Sequence, residues 1–577
     1  MLLQRLLEYA DRGSDDSPSM YKLTPIRYEA QLDEDGNLLG MVTLSSGVER
    51  GRDRGKPMLV PARERSGTAP KPILLADTLE YALGIGRPEK APVYHQAFVD
   101  LLHACLEATG EGDLRTILRF LEQPVEERPG VPTDLEAGAV TFSVAGRWPV
   151  DTPSVRAFWA AAADRSAGGV TGAQTQCMVC GEHKPVVDRF PIKIKGVLGT
   201  QGSGAALVTA NSNAFNSYGL AEAYLAPTCA RCAERIGTSL NRLIADPANR
   251  IYLSPLTYVF WTREKTDYQW GVMLTQPDSG QVAALLGAAY GGRQAASRLD
   301  TNAFYCVALA GNSGRIAVRD WIDTTVSEAQ TNLARYFALQ QIVDRAGVVE
   351  RYFGVRALAG ATVRDSRKDN PSPGVPRALM RVALQGGPLP DALLAQAIRR
   401  VQAGQGVSHA QAALIKMVLA GAIDDPQRLE DFMVKLDESN RDPAYLCGRL
   451  LAVLDDIQRA ALGQRNATII DRFFGSASTA PISVFGRLVR GAQPHLAKLR
   501  RDRPGTYAAL DTRMTGIIGD IGTFPRTLTL RQQGLFVLGY YHQRAADTKA
   551  RIERAAARRA AGALVDDVEL LDDELEG

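Results

Sequence analysis

The stretch that decides the fold begins with Cys177-Met-Val-Cys180 and closes with Cys229-Ala-Arg-Cys232. In each Cys-x-x-Cys pair the two intervening residues let the backbone turn back, so both thiolates can bind one tetrahedral Zn²⁺. The two pairs complete the coordination sphere and leave no position for a water, so the predicted zinc is structural. Two disulfides or four unrelated thiols are the alternatives, but nothing marks the chain as secreted.

The segment between the two pairs is much longer than the roughly 15 to 20 residues of a compact zinc ribbon. A zinc here would therefore hold the base of a long excursion. That excursion carries a glycine-rich loop at residues 196–204, flanked by Lys193 and Lys195, and a polar run at residues 211–218.

Composition indicates an ordinary soluble globular protein, with 45% hydrophobic and 23% charged residues. At 577 residues the chain is long enough for two or three domains. The sequence contains no apolar run of about 18 residues, so no membrane span is predicted. The N-terminal leucines alternate with charges, unlike a signal peptide, so we expect a first amphipathic helix and a cytoplasmic location.

Charge is unevenly distributed near the C-terminus. Residues 487–559 hold 15 Lys and Arg against 5 Asp and Glu, and residues 565–577 then hold seven acids and no base. The pattern predicts an anionic partner for the basic block and a solvated acidic tail.

The order of patterns predicts an α+β protein in three regions. Residues 1–170 form a mixed α+β region, residues 171–363 a strand-rich region with the zinc-knuckle insertion and the glycine-rich loop, and residues 377–577 an all-α C-terminal helical bundle with the acidic tail. A linker rich in Pro, Ser and charge, around residues 364–376, separates the last two regions.

Local patterns predict individual elements. Residues 26–44 alternate polar and apolar side chains around a turn, which indicates a hairpin. Residues 140–144, 251–261 and 270–274 are rich in β-branched and aromatic side chains and predict strands. Residues 47–71 interleave cations with Gly and Pro and predict a basic loop.

Several stretches resemble the large subunit of type I-C CRISPR Cascade, and the resemblance runs nearly from end to end. The stretches that carry it are Met1-Leu-Leu-Gln-Arg-Leu-Leu-Glu-Tyr-Ala, Lys193-Ile-Lys-Gly-Val-Leu-Gly-Thr-Gln-Gly-Ser-Gly-Ala-Ala-Leu-Val, Asn213-Ala-Phe-Asn-Ser-Tyr-Gly219, Phe304-Tyr-Cys-Val-Ala-Leu-Ala, Ala412-Ala-Leu-Ile-Lys416, Asn466-Ala-Thr-Ile-Ile-Asp471-Arg-Phe-Phe-Gly475-Ser-Ala-Ser and Gln533-Gly-Leu-Phe-Val-Leu-Gly-Tyr-Tyr-His-Gln-Arg544.

The resemblance implies a DNA-binding subunit with no enzymatic activity, in a complex guided by a CRISPR RNA (crRNA) and acting in antiviral defence. Such a subunit recognises the protospacer-adjacent motif (PAM) on double-stranded target DNA, helps to open the duplex into an R-loop, and holds the displaced strand for a separate helicase-nuclease. Its other partners are the backbone and crRNA-end subunits. A small subunit, made from an internal start such as Met433, would correspond to the C-terminal helices.

A PAM reader needs backbone or small side chains that can approach a groove, and cations that contact the flanking phosphates. The candidate DNA-binding residues are Lys193, Lys195, Gly199, Gln201, Gly202, Ser203, Asn211, Asn213 and Asn216, with Arg63, Arg65 and Lys71 of the basic loop. The alternative is a glycine-rich turn packed inside the fold, asparagines that cap turns, and a basic loop that faces water.

The candidate track for the displaced strand lies in the basic block, in helices that could equally be solvated without binding anything. It comprises Arg487, Arg490, Lys498, Arg500, Arg501 and Arg503.

A zinc-dependent nucleic-acid enzyme such as a nuclease is the competing hypothesis, with Glu182 and Asp188 near the knuckles as metal ligands. The sequence contains no Gly-x-x-x-x-Gly-Lys-Ser/Thr phosphate loop and no His-Glu-x-x-His motif. Residues 202–204 also lack the Gly-x-Ser-x-Gly spacing of a nucleophile elbow. The sequence therefore favours a binding protein over an enzyme.

Overall fold

Strands and helices alternate up to residue 340, and helices alone follow, in the computed structural model of the protein. The structure describes residues 1–12, 20–47, 53–63, 65, 69–123, 130–132, 135–167, 174–210, 212–290, 301–349, 351–365, 368–404, 406–423, 425–463 and 468–560. The predicted α+β class with a helical C-terminal region is confirmed. Arg50, Arg52 and Asn211, and the predicted acidic tail, lie outside the described residues.

The strands are β1 (Tyr21–Ile26), β2 (Tyr28–Leu32), β3 (Leu38–Thr43), β4 (Lys56–Pro61), β5 (Ala76–Thr78), β6 (Ala139–Val144), β7 (Gln174–Gln176), β8 (His183–Pro185), β9 (Arg250–Leu253), β10 (Leu256–Thr262), β11 (Ala303–Asn312) and β12 (Arg315–Thr325).

The helices are α1 (Leu2–Arg12), α2 (Leu79–Ala82), α3 (Ala91–Thr109), α4 (Gly112–Leu121), α5 (Pro153–Ala167), α6 (Ala230–Ala245), α7 (Trp270–Thr275), α8 (Ser279–Tyr290), α9 (Val326–Gln340), α10 (Val355–Gly360), α11 (Gly374–Gln385), α12 (Asp391–Gln402), α13 (His409–Ala420), α14 (Pro426–Asp431), α15 (Pro443–Leu462), α16 (Ile469–Thr479), α17 (Pro481–Asp502), α18 (Pro504–Ile521) and α19 (Leu530–Ala560). Within the described ranges no helix combines the length and apolarity that crossing a membrane requires.

The chain divides into two compact units. The first comprises Met1–Ala245 and the hairpin tip Gly311–Ala317, and the second comprises Asp246–Ala310 and Val318–Gly577. The three-region division drawn from the sequence stays a prediction.

The first unit is built on a four-stranded sheet in the order β3-β2-β6-β5. Strands β2 and β6 run parallel, and the β2–β3 and β5–β6 pairs are antiparallel. The hairpin predicted over residues 26–44 is confirmed as β2 and β3. Its turn is stabilised by Asp33, whose carboxylate accepts a hydrogen bond of 2.8 Å from the backbone N–H of Asn37.

The second unit has a sheet in the order β12-β11-β10-β9 and a helical core that includes α15 and α19. These two helices approach very closely, since a Cβ on Gly448 would lie 2.0 Å from the carbonyl oxygen of Phe536 and one on Gly539 would lie 2.1 Å from that of Tyr445. Glycine at both positions therefore sets the distance between α15 and α19.

Two local predictions are wrong. Residues 270–274 were expected to form a strand but lie in helix α7, whose Trp270, Met273 and Leu274 are buried at helical spacing. Part of the basic stretch 47–71 was expected to be loop but forms strand β4, antiparallel to β1. Pro57 and Pro61 lie within this two-stranded ladder, and proline normally argues against a strand.

A buried lysine lies inside the helical core of the second unit. Lys416 is fully buried, and its ammonium donates a hydrogen bond to the carbonyl oxygen of Gln341. Burial lowers the pKa of Lys416 to about 7. The neighbouring His542 is also buried, and its Nδ1 lies 3.0 Å from the Tyr445 hydroxyl. Burial first, and Lys416 second, lower the pKa of His542 to about 3.

We expect Lys416 to make the stability of the folded chain rise with pH between about 7 and 10.5. Its pKa is about 7 in the folded chain and near 10.5 when unfolded, so between those values the unfolded state binds more protons and stability rises with pH. The slope from this group approaches about 1.4 kcal/mol per pH unit. Urea unfolding of the full chain at pH 7 and 9 should show Lys416→Met to be more stable than wild type at pH 7, with a smaller pH dependence.

The exposed Lys435, between α14 and α15, provides the control for this measurement. Lys435→Met should leave both the stability and its pH dependence unchanged. A Lys416→Met variant that unfolds more easily at pH 7, or that retains the wild-type slope, would contradict the expectation.

Candidate metal centre and nucleic-acid surface

The first cysteine pair lies in the turn of the hairpin formed by β7 and β8. The backbone N–H of Cys177 donates to the carbonyl of Glu182, and that of Gly181 donates to the carbonyl of Cys177, both at 2.9 Å. Gly181 has a φ of 78°, which glycine adopts without strain and which closes the turn after Cys180. The sequence thus folds locally so that both thiols leave the turn in one direction.

The second pair lies at the beginning of α6, where Cys229 precedes the helix and Cys232 lies in its first turn. The backbone N–H of Cys229 donates to Sγ of Cys177 at 3.3 Å, which joins the two pairs directly. A hydrogen bond of 2.9 Å from the N–H of Val187 to the carbonyl of Thr228 joins the same two segments. The helix N-terminus also favours a thiolate at Cys229.

The four sulfur atoms lie within 4.8 Å of one another, as a single metal ion requires. Sγ of Cys180 and Sγ of Cys229 are 4.0 Å apart, close to the edge of about 3.8 Å in a tetrahedron with Zn–S bonds of about 2.3 Å. All four cysteines are free thiols, and only Cys180 is exposed. The residues therefore fit the structural zinc predicted from the spacing.

Hydrogen bonds within this cluster already separate the thiol pKa values. A hydrogen bond from Cys232 is the main cause that lowers the pKa of Cys229 to about 5, and the same bond raises the pKa of Cys232. Burial raises the pKa of Cys180. One thiolate is therefore favoured even without an ion, and a bound cation would favour the remaining three.

Helix α6 connects this centre to the glycine-rich loop. The side chain of Asn241 accepts a hydrogen bond of 2.8 Å from the backbone N–H of Lys195 and donates one of 2.9 Å to the carbonyl of Lys193. The loop base is closed by paired hydrogen bonds of 2.9 Å between Ile194 and Ala205. Lys193 and Lys195 are exposed, so their ammonium groups are available to a ligand.

Two of the four glycines in the loop are required by close backbone packing, as the alternative interpretation supposed. Gly199 has a φ of 82°, and a Cβ there would lie 2.7 Å from the carbonyl oxygen of Gly311. Gly204 has a φ of 90°, and a Cβ there would lie 2.8 Å from the carbonyl oxygen of Ile194. Gly202 differs, since it has open space around it and lies with Gln201 and Ser203 at an exposed tip.

The tip of the β11–β12 hairpin packs against this loop, a juxtaposition that the sequence did not reveal. The N–H of Gly311 donates to the carbonyl of Leu198 at 2.9 Å, and the N–H of Ser313 donates to that of Gly199 at 3.0 Å. The side-chain amide of Gln201 donates to the Ser313 hydroxyl at 2.9 Å. The two exposed turns therefore form one surface.

Residues 212–220 extend the same surface and are all exposed. Asn213 and Asn216 lie in and just after a short 3₁₀ turn. The guanidinium of Arg315, at the hairpin tip, lies 4.3 Å from the ring centroid of Phe215. This contact joins the polar run to the hairpin tip.

The stretches of sequence that form this surface contain cations and no acidic residue. Residues 189–221 contain three cations and no Asp or Glu, and residues 311–317 contain Arg315 and no acid. Arg189 forms an ion pair of 3.3 Å with Glu222, just beyond this stretch. The remaining cations suit a polyanion such as DNA.

The cations predicted in the basic loop have intramolecular partners. Arg65 forms an ion pair with the buried Asp77 and lies 4.2 Å from the ring centroid of Tyr81. Arg63 lies 5.2 Å from the ring centroid of Trp159, and burial lowers its pKa. Lys71 is half-buried and its backbone N–H donates to the Tyr81 hydroxyl. Arg63 and Arg65 thus have structural contacts within the first unit, whatever else they bind.

The predicted track for the displaced strand lies on helix α17 and just after it. Arg487, Arg490, Lys498 and Arg501 are exposed and fall within an arc of about 80° that is about 21 Å long. Arg500 lies about 80° beyond the nearest edge of this arc, and Arg503 follows the helix.

Three of these cations have local partners. Arg487 stacks on Phe473 at 4.7 Å, Lys498 donates to the carbonyl of Ala461 at 2.7 Å, and Arg501 pairs with Asp502.

The acids proposed for a catalytic metal do not join a ligand cluster. Glu182 is exposed and pairs with Lys184. In the part of the chain that the structure describes, the four cysteines are the one group of three or more potential ligands. Neither Glu182 nor Asp188 belongs to it, so the geometry gives the nuclease hypothesis no added support.

Comparison with protein-family models finds a match over most of the chain. Residues 4–547 match a family model described as CRISPR-associated protein (Cas_Csd1). A search of curated proteins finds no match.

We expect the purified full chain to hold roughly one zinc, bound by the four thiolates. Cys180→Ser and Cys229→Ser should each lose most of the metal and lower the melting temperature, because structural zinc contributes directly to folding. Metal analysis and thermal unfolding measure both effects.

Met178→Ser, which changes an exposed side chain inside the first pair without removing a ligand, should keep the zinc. A wild-type chain that lacks zinc and shows four fewer free thiols than its seven cysteines would favour the disulfide alternative instead.

Proposed function

The chain belongs to the Cas_Csd1 family of CRISPR-associated proteins, and we propose that it is the PAM-recognising, DNA-binding large subunit of a type I-C Cascade. In this role it binds double-stranded target DNA within a crRNA-guided complex, helps to open it, and holds the displaced strand for a separate helicase-nuclease. It acts by binding and not by chemistry of its own. Its partners are the crRNA, the backbone and crRNA-end subunits, and a C-terminal small subunit, in the cytoplasm.

The observation that carries this proposal is the surface formed by the glycine-rich loop, residues 212–220 and the hairpin tip 311–317. Its exposed tip at Gln201, Gly202 and Ser203 is slim, because glycine adds no side chain and the loop backbone is fixed beneath it. A loop tip with small polar side chains can enter a groove of duplex DNA and offer hydrogen-bond donors and acceptors to base edges. Lys193 and Lys195 stand at the loop base, where flanking phosphates would lie.

The division of labour follows from this architecture. The protein reads a short motif through a few exposed polar groups, and base pairing with the crRNA reads the remaining sequence, as in other RNA-guided effectors. Because the loop is held by Asn241 and by the hairpin tip, binding requires little further ordering of its backbone.

The arc of Arg487, Arg490, Lys498 and Arg501 supports the second part of the proposal. Four cations along about 21 Å of helix can follow several phosphates of a single strand. Arg500 and Arg503 flank this arc and would contact the strand only if it wraps the helix end.

A separate C-terminal chain made from an internal start, such as Met433 or a non-Met codon further on, is part of the same proposal. Met433 has a φ of 51° and lies between α14 and α15, outside regular structure. The carbonyl of Val434 accepts a hydrogen bond of 2.8 Å from Val343. Helix α19 also packs on α12 and α13 around Gly534, so a shorter chain would need another partner for that face.

Charge reversal at the loop base should weaken binding of PAM duplex by the assembled complex. Lys193→Glu combined with Lys195→Glu should reduce the logarithmic salt slope by about two units, near 0.9 for each phosphate that is no longer neutralised, and lower affinity at least about tenfold. Titrations of duplex DNA at several salt concentrations measure both quantities.

Lys265→Glu, at an exposed lysine of the second unit, matches one charge change and should have little effect. PAM-duplex binding that survives the double reversal with an unchanged salt slope would defeat the proposed role of this surface.

The two sides of α17 should differ in their contribution to R-loop stability. Arg487→Ala combined with Arg490→Ala removes cations from the arc, and should speed re-annealing of the displaced strand several-fold because fewer cations hold its phosphates. Arg500→Ala combined with Arg503→Ala removes the same number of cations off the arc and should act more weakly. Equal effects from both variants would contradict a track along this face.

A further inference from the structure

Tyr218 combines two features that folding alone does not favour. Its side chain is 100% exposed, the largest exposure among the large hydrophobic residues described. Its φ is 52°, in the left-handed region that side chains other than those of Gly, Asn and Asp rarely adopt. Such outliers at an exposed position indicate a functional constraint.

The local structure is a tight two-residue turn. The N–H of Ser217 donates to the carbonyl of Leu220 at 3.2 Å, and the N–H of Leu220 donates to that of Ser217 at 2.9 Å. Gly219 has a φ of 74°, so both central residues have positive φ, as in a type I′ turn. Asn-Gly is the preferred sequence for this turn, and here tyrosine takes the asparagine position.

The surroundings of the ring indicate what it contacts. Phe215 and Leu220 are 46% and 43% exposed, so Tyr218 stands beside further apolar surface. Arg315 stacks on Phe215, and residues 189–221 contain no acid. Exposed aromatic rings next to a cation suit nucleic acid, in which bases offer flat faces and phosphates offer negative charge.

We propose that the ring of Tyr218 stacks on a nucleobase of the bound target DNA. This inference rests on the proposed function, which brings DNA to this surface. The tight turn presents the ring at its tip, and stacking on a base removes the ring from water. The strained backbone at position 218 thus maintains a presentation that an asparagine could not supply.

The sequence preference of this turn provides a variant that removes the ring without destabilising the turn. Tyr218→Asn installs the preferred turn sequence and removes the ring, so the melting temperature should equal or exceed that of wild type. Tyr218→Phe keeps the ring and removes only the hydroxyl. A purely structural role for the ring predicts the opposite order of stability.

The test uses the reconstituted complex with its crRNA and duplexes that carry 2-aminopurine at single positions in and next to the PAM. We expect Tyr218→Asn to bind about tenfold more weakly and Tyr218→Phe to bind within about twofold of wild type. One 2-aminopurine position should fluoresce less with wild type and Tyr218→Phe than with Tyr218→Asn, because stacking quenches it.

Three outcomes would overturn the inference. Unchanged binding and fluorescence for Tyr218→Asn, with weak binding by the Lys193→Glu and Lys195→Glu double variant, would remove the stacking role and leave the proposed function intact. Unchanged DNA binding by both Tyr218→Asn and the Lys193→Glu, Lys195→Glu double variant would remove the proposed function as well. Loss of other subunits from the Tyr218→Asn complex, with DNA affinity retained, would assign the ring to a protein contact.

Discussion

The joining of the two cysteine pairs is the constraint on which the candidate surface depends. Cys177 and Cys180 lie in a hairpin turn, and Cys229 and Cys232 lie at the start of α6. When the thiolates share one ion, the position of α6 is fixed relative to the hairpin. Asn241 on that helix then fixes the backbone of the glycine-rich loop. A metal at this centre would therefore also help to order the glycine-rich loop, through α6.

The sequence could predict the metal centre but only half of the surface. Cys-x-x-Cys spacing is a local property, so the four ligands were identifiable before any fold was known. Ser313 lies 112 residues from Gln201, and no local pattern indicates that they pair. The glycines of the loop were also ambiguous, because Gly199 serves backbone packing while Gly202 is open. Charge alone could not show that Arg65 pairs with Asp77.

The fold class was predictable because periodicity changes clearly along the chain, whereas short elements were not. Trp270, Met273 and Leu274 have aromatic and aliphatic character typical of strands, but they are buried at the spacing of a helix. Over five residues the two periods are hard to distinguish. Tertiary packing decides, since the helix is the conformation that buries all three of these side chains.

The contact between the glycine-rich loop and the hairpin tip uses backbone atoms on both sides. Gly311 and Ser313 donate to Leu198 and Gly199, and a Cβ on Gly311 would lie 2.6 Å from the Leu198 carbonyl oxygen. Backbone hydrogen bonds thus set the frame, and side-chain contacts from Gln201 to Ser313 and from Arg315 to Phe215 reinforce it. The two outward turns could therefore be exchanged together, as one unit, without rebuilding the backbone support beneath them.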